Sequence, residues 1–283
     1  MQATILILCE DQTGIISAVT GFIHKHGGNI IYLDQHVDQQ VGKFFMRIES
    51  DFKDKLAIAD DFRSAFDKEL AIPYEMKWRI YTANDKPKMA IFVSRYNHCL
   101  YDLLSRFKSG ELQVSIPFIL SNHKDMEYVA RQFDVPFYFV PVLKDRKSEA
   151  EDRQLELLKL YEIDFIVLAR YMQIITPKIV SHFPNKIINI HHSFLPAFAG
   201  AKPYHAAFER GVKIIGATSH YITDELDEGP IIAQDVTTVS HSQTVSDFIS
   251  KGRDLEKIVL ARAVQLHCDR KTMVYNNKTV IFS

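Results

Sequence analysis

The chain is poor in cysteine and carries no excess of either charge. Three cysteines occur in 283 residues, and Cys9, Cys99 and Cys268 stand far apart. They fit neither a disulfide framework nor a zinc pattern. Lys+Arg is 34 against 35 for Asp+Glu, a formal net charge of −1. No global basic field is available to hold a nucleic-acid backbone or an anionic membrane. No apolar run approaches the roughly 18 residues that would cross a bilayer. The opening stretch MQATILILCEDQTG lacks a basic n-region and meets Glu10 and Asp11 at once, so it does not read as a secretory signal. These absences leave a soluble cytoplasmic protein with no metal and no nucleic-acid or membrane partner as the expectation. The remaining composition is that of a packed core: 47% hydrophobic and 24% charged. The length suits two domains of roughly 100–200 residues each.

Residues 1–82 read as one unit. Thr4–Leu8 is a short apolar strand, and Asp11-Gln-Thr-Gly14 is a turn. Ile15, Ile16, Val19, Phe22 and Ile23 recur at helical spacing, and Gly27-Gly28 ends that helix. Asn29–Val37 and Lys43–Glu49 are β-rich and separated by a polar turn. A second helix spans Phe52–Leu70, with Leu56, Phe62, Ala65 and Phe66 as its apolar stripe, and Glu75–Tyr81 is the last strand. The order βαββαβ is the ferredoxin-like arrangement.

Residues 83–88 are polar, contain a proline and read as a linker. From residue 89 to 283 the pattern alternates strand and helix. Ala90–Val93, Ser115–Leu120, Phe137–Val140, Phe165–Leu168 and Lys186–Ile190 are apolar strands. Leu100–Phe107, Lys124–Phe133 and Ala150–Tyr161 are the helical crossovers. Such a pattern implies a Rossmann-like α/β layer structure around a mostly parallel sheet. Lys213–Tyr221 and Ile231–Thr238 read as a hairpin, and Val245–Leu266 as a long closing helix.

The densest polar cluster is Asn189-Ile-His191-His192-Ser193, where a strand runs out. Ligands of open α/β sheets bind beyond the carboxyl ends of strands. Asn189 and His191 are two apart, so an extended chain points them to one side and Ile190 to the core. An amide and an imidazole together can hold a developing oxyanion. The same pair reads equally well as a turn cap and a structural histidine. The second cluster, Thr223-Asp-Glu-Leu-Asp-Glu-Gly-Pro230, is an acidic turn that either serves proton transfer or is simply solvated. It lacks the ligand spacing of a calcium loop, and composition does not separate Asp227 from its neighbours. Asn122 ends another strand at the same sheet edge. Cys99 opens a helix, but His98 beside it faces elsewhere on a helix and leaves it no base. Ser193 lacks a nucleophile elbow and reads as a loop-stabilising hydroxyl. The roles of His192, His205 and His220 stay open, between shaping the cleft and solvated or structural positions.

Residues 186–234 carry N-I-H, S-x-L-P, G-x-T-x-H and D-x-G-P in order. This set resembles the 10-formyltetrahydrofolate-dependent formyltransferase and deformylase family. The resemblance implies that Asn189, His191 and Asp227 are catalytic. It also implies that Arg170, Met172, Gln173 and Ile174, with the 222–227 loop and Thr223, line a folate pocket that Asn122 borders. The segment CEDQTGIISAVTGFIHKHGGNIIYLDQHVD resembles an ACT domain. By that resemblance, Asp11, Thr13, Gly14 and Ile15 would take an amino-acid effector, and the chain would form a homo-oligomer. An ACT domain ahead of a formyltransferase-type domain is the layout of the family's deformylase branch. One departure agrees with that branch. Glycinamide ribonucleotide formyltransferases of the family place a phosphate loop rich in Gly, Ser and Asn after the first catalytic strand, but here the residues are Ser94-Arg-Tyr-Asn-His-Cys99, without glycine. The resemblance thus implies hydrolysis of the folate's formyl group, with no metal or cofactor. Asn189 and His191 would hold the oxyanion, and Asp227 would raise the pKa of His191 and take the proton of water. The reaction would serve one-carbon balance and formate supply for purine synthesis.

Overall fold

The computed structural model describes residues 1–53, 60–82, 85–197 and 203–283. The chain forms two units. The first is Met1–Lys86 with Arg270–Met273 and Val280–Ser283, and the second is Pro87–Asp269 with Val274–Thr279.

In the first unit, β1 (Gln2–Glu10), α1 (Ile15–Lys25), β2 (Gly28–Asp38), β3 (Lys43–Phe52), α2 (Asp60–Phe66) and β4 (Lys77–Thr82) follow in the expected βαββαβ order. The sheet order is β2-β3-β1-β4, with every neighbour antiparallel. The helices bury Val19, Phe22, Ile23, Phe62 and Phe66 against Ile5, Ile7, Met46 and Ile48 of the central strands. Phe22 meets Phe62 and Phe66 edge-on at 5.3 and 5.2 Å between centroids, a favoured aromatic geometry. Two boundaries differ from expectation. The strand β3 runs on to Phe52, because its alternate residues remain buried in the sheet. The second helix therefore cannot start at Phe52; its described part is Asp60–Phe66, and it ends in a π-helical turn, Asp67–Ala71. Leu56, expected in its stripe, lies outside the described residues, as do Ala83 and Asn84 of the expected linker.

In the second unit the chain runs β5 (Lys88–Val93), α3 (His98–Lys108), β6 (Ser115–Ser121), α4 (Glu127–Gln132), β7 (Phe137–Phe139), α5 (Lys147–Leu160), β8 (Phe165–Leu168), α6 (Pro177–Val180), β9 (Ile187–His191), α7 (Pro203–Arg210), β10 (Ile214–Tyr221), β11 (Ile231–Thr238) and α8 (Val245–Cys268). The sheet order is β11-β10-β9-β8-β5-β6-β7. Strands β5 to β9 are parallel, while β10 runs antiparallel to both β9 and β11. Strand β5 shows why its sequence is apolar throughout. Met89, Ile91 and Val93 face one core with residues of α3 and α8, and Ala90 and Phe92 face another with residues of α5 and α6. Helix α8 opens on a capping box between Thr244 and Asp247. A final pair, β12 (Thr272–Tyr275) and β13 (Lys278–Ile281), was not expected from the sequence.

From β5 the chain steps outward to β6 and β7, then returns to β8 and β9 on the other side. The order reverses between β5 and β8, which is the place where open α/β sheets bind ligands. The segments after β5, β6, β8 and β9 all leave at that carboxyl edge. They carry Ser94, Asn122, Arg170 and His192.

Candidate active site at the carboxyl edge of the parallel sheet

Strand register assembles the site. Antiparallel pairing of β9 with β10 sets Asn189 opposite His220 and His191 opposite Thr218. Directly opposed residues share a face. Ile188 and Ile190, on the other face, enter the core. Asn189 Nδ2 lies 3.2 Å from His220 Nε2, and His220 Nδ1 lies 3.0 Å from the Tyr221 carbonyl. A carbonyl can only accept, so Nδ1 carries the proton and Nε2 accepts from the Asn189 amide. Burial pushes the His220 pKa down, which favours the neutral ring this pattern needs. One N–H of Asn189 is thereby engaged, and the direction of its amide is fixed. Thr218 Oγ1 donates to the Ser193 carbonyl and accepts from the Leu195 N–H, holding the turn that follows His191.

The acidic turn docks on the same strands. A Cβ at Gly229 would lie 1.7 Å from the Tyr221 carbonyl oxygen, so the turn rests directly on the backbone of β10. The Tyr221 N–H also donates to the Pro230 carbonyl at 2.9 Å. This brings Asp227, in a left-handed conformation with φ 59°, over the two histidines. Its Oδ1 is 3.3 Å from His191 Nδ1 and 3.7 Å from His220 Nε2. The hydrogen bond with His191 holds the Asp227 carboxyl below its usual range. Asp224, Glu225 and Glu228 are exposed to solvent. His191 is 6% exposed, and its Nε2 is buried with no hydrogen-bond partner among the described residues. A buried polar atom left unpaired calls for a functional explanation.

The structure thus brings Asn189, His191 and Asp227 together and adds His220, whose role the sequence left open. The β9–β10 register that pairs it with Asn189 is not readable from spacing. The His192 ring lies tilted beside that of His191, 5.3 Å between centroids, while His205 is exposed on α7. The Ser193 hydroxyl, expected to stabilise the loop, makes no such bond among the described residues. It is buried and unpaired among the described residues, and the Ser193 carbonyl makes the bond to Thr218 instead. Phe198 and Lys202, within motifs noted in the sequence, lie outside the described residues.

The segment after β8 is pinned to β5. Ser94 Oγ donates to Asn122 Oδ1 at 2.7 Å and accepts from the Met172 N–H at 2.9 Å. Met172 and Ile174 are exposed, Gln173 is half-buried, and Thr223 Oγ1 bonds the Glu225 carbonyl. The Arg170 guanidinium is buried, with Nε 3.3 Å from Glu256. An apolar pocket of about 190 Å³ lies beside His192, lined by Phe194, Tyr204, Ala207, Ile215 and Val236 among others. None of the expected folate-lining residues borders it. In the first unit, Asp11, Thr13 and Gly14 form an exposed loop ahead of α1, and Ile15 behind them is buried. Cys99 is fully buried, and burial pushes its thiol well above the usual range, contrary to a nucleophile. Its neighbour His98 does not face away from it: both converge with Glu256.

This geometry has known relatives. A family model described as formyl transferase matches residues 87–264, and one described as ACT domain matches residues 3–67. A formyltetrahydrofolate deformylase of Synechocystis sp. is 50% identical over 100% of this chain and 99% of its own. The chain belongs to the formyltetrahydrofolate deformylase family. The crystal structure of such a deformylase from Pseudomonas syringae pv. tomato superposes with a TM-score of 0.96 at 43% identity, covering 100% of this chain and 95% of that one. The family's fold is shared in part with the transformylases. Glycinamide ribonucleotide transformylase 1 from Symbiobacterium toebii matches at a TM-score of 0.67 and 26% identity, over 72% of this chain and 97% of that one.

Proposed function

We propose that the protein hydrolyses 10-formyltetrahydrofolate to formate and tetrahydrofolate, with Asn189, His191 and Asp227 as the reacting groups. The observation that carries this reading is the state of His191. One ring nitrogen is paired with Asp227, and the other is buried and unpaired. In the bound complex His191 carries a proton on each ring nitrogen, Nδ1–H on Asp227 and Nε2–H on the formyl oxygen, which also accepts the second N–H of Asn189. Both donors strengthen as that oxygen gains charge, which is how such a pair lowers the barrier.

Water adds to the formyl carbon, and Asp227 takes up a water proton. Its carboxylate is 22% exposed, so water can reach it. The tetrahedral intermediate then collapses, the bond from carbon to N10 breaks, N10 leaves with the proton that Asp227 took from water, and the formic acid released ionises to formate. Every step is a proton transfer, an addition or an elimination, so the scheme calls on no metal, redox group or other cofactor. Asn122, Arg170, Met172, Gln173, Ile174 and Thr223 border the folate in this reading. The exposed apolar side chains of Met172 and Ile174 offer the pteridine a surface, and Arg170 shapes the loop through its backbone. Ser94–Cys99, without glycine, offers no phosphate cradle, in keeping with water rather than an amine as acceptor.

The first unit is read as a regulatory module that takes an amino acid at Asp11, Thr13, Gly14 and Ile15. There the amino end of α1 favours a carboxylate. We place the enzyme in the cytoplasm as a homo-oligomer, supplying formate for purine synthesis and balancing one-carbon folates. The test is formate release by the purified protein, with and without glycinamide ribonucleotide. Release at full rate without the amine is expected. Turnover only in its presence would overturn the hydrolytic reading in favour of transfer.

A further inference from the structure

A second cluster of functional groups lies apart from the His191–Asp227 pair. Glu256, midway along α8, is 1% exposed. Burial opposes its charge, but the hydrogen bond from His98 and the nearby charge of Arg170 outweigh that and hold its carboxyl below the usual range. His98 Nε2 lies 2.8 Å from Glu256 Oε2, and Tyr204 OH donates to Oε1 at 2.8 Å. Cys99, the next residue of α3, is fully buried beside them. One donor atom from each of His98, Cys99 and Glu256 lies within 4.8 Å of the other two.

We propose that His98, Cys99 and Glu256 bind a divalent transition metal of the zinc class. Donor geometry, donor chemistry, the groups around the ligands and access each favour the site.

The first is donor geometry. Zinc bonds of about 2.0–2.3 Å in a tetrahedron set ligand atoms roughly 3.3–3.6 Å apart. From 2.8 Å, the His98–Glu256 pair must open slightly, and from at most 4.8 Å the sulfur must close by up to about an ångström. The second is donor chemistry. A thiolate with an imidazole and a carboxylate selects a borderline-soft ion over magnesium or calcium. The ion's two charges meet those of the Cys99 thiolate and Glu256, and the Arg170 guanidinium remains as one further positive charge beside them. The metal reverses the thiol's reluctance to ionise, because a coordinated thiol is deprotonated.

The third is the support around the ligands. Metal-binding carboxylates are held in turn by hydrogen bonds, and Tyr204 holds Oε1. The Tyr204 ring reaches Glu256 only because residue 252 is glycine. A Cβ there would lie 2.1 Å from Tyr204 Cζ, and Gly252 sits four residues before Glu256, on the same helical face. Arg170 Nε stands 3.3 Å from Oε2 as an ion pair and His98 donates to the same oxygen, so an ion would take the place of the His98 proton there. The fourth is access. His98 keeps 13% of its side chain exposed, so solvent reaches the rim of the cluster. Three protein ligands leave a fourth position for water. A buried ion network alone would need His98, Arg170, Tyr204 and Glu256, but it would have no use for the thiol.

The test uses the full chain, stripped with a chelator under reducing, oxygen-free conditions and titrated with Co(II). The expected result is a thiolate-to-cobalt charge-transfer band in the near ultraviolet, saturating at about one ion per chain and erased by Zn(II). Cys99→Ser abolishes the band, while Cys9→Ser and Cys268→Ser keep it. Tyr204→Phe weakens binding about tenfold or more, as removal of an outer hydrogen bond to a ligand does. Circular dichroism and thermal melts establish that each variant folds. Absence of the band from folded wild-type protein, or its survival in folded Cys99→Ser, would overturn the site.

Discussion

Replacing Gly229 by alanine adds one methyl group, removes no functional atom and tests how Asp227 is placed. The added Cβ would lie 1.7 Å from the Tyr221 carbonyl oxygen, whereas real Cβ atoms keep about 3.0 Å. The turn must therefore lift by about 1.3 Å, and β10, hydrogen-bonded on both sides, is the stiffer partner. Asp227 is two residues away, 3.3 Å from His191 Nδ1. The same displacement carries that contact to roughly 4.6 Å, beyond any hydrogen bond. Misplacement by about an ångström costs on the order of a hundredfold in rate, comparable to losing a general acid–base group. Formate release from 10-formyltetrahydrofolate should fall in kcat by about that factor while Asp227 itself is intact. The backbone at Gly229 is not in the left-handed region, so alanine brings no conformational penalty of its own. A melt checks that the variant remains folded. Full kcat in Gly229→Ala would refute the claim that docking of this turn on β10 positions the carboxylate.

Asn189→Ala and His191→Ala should each reduce kcat by about a hundredfold or more, as loss of a donor to a developing oxyanion does; steady-state kinetics with wild-type-like melts would check this. Asp227→Asn should lose activity similarly, whereas Glu228→Gln, at an exposed position of the same turn, should keep it and shift stability by under about 0.5 kcal/mol. Equal losses in both variants would show that the turn acts through its bulk charge. His220→Gln should lower kcat about tenfold with little change in KM, since its ring orients Asn189 rather than touching substrate. His220 also makes stability depend on pH. Its folded pKa is depressed, so the unfolded chain binds the proton more readily, and stability falls as the pH drops below the ordinary imidazole value of about 6.5. Melting temperatures between pH 7.5 and 5 should decline less steeply in His220→Gln, and parallel slopes would contradict a buried neutral ring.

The strands of the second unit were legible because burial on both faces leaves continuous apolar runs such as Met89–Val93. The order βαββαβ was legible in the first unit because its strands and α1 keep clean periods. Other features were hidden for physical reasons. Strand β3 runs past Glu49 through Ser50 and Asp51, polar residues that mimic a helix start. Helix α6 is a single turn, too short for a period, and β12 and β13 offer only four residues each. Neighbours on a helix are about 100° apart, which suggested that His98 and Cys99 diverge. Both stand in the first turn of α3, where donor atoms of each reach Glu256 of α8.

The candidate site divides along the same line between local and distant order. Asn189 and His191 could be paired from sequence because one strand's period puts them on one face. Nothing local could pair Asn189 with His220, since that contact depends on which residue of β10 lies opposite, and register is a property of two strands. A slip of one residue would turn His220 to the opposite face and leave the Asn189 amide free to rotate. Thr218 guards against such a slip, because its hydroxyl bonds Ser193 and Leu195 just past His191 and locks β10 to the end of β9. The choice of Asp227 over Asp224, Glu225 and Glu228 is likewise positional. Gly229 presses the turn onto Tyr221, and the left-handed backbone at Asp227 aims that one carboxylate at His191. The residues that fix the geometry, Thr218, His220 and Gly229, all act on or from β10. That antiparallel strand therefore sets the chemistry presented at the end of the parallel strand β9.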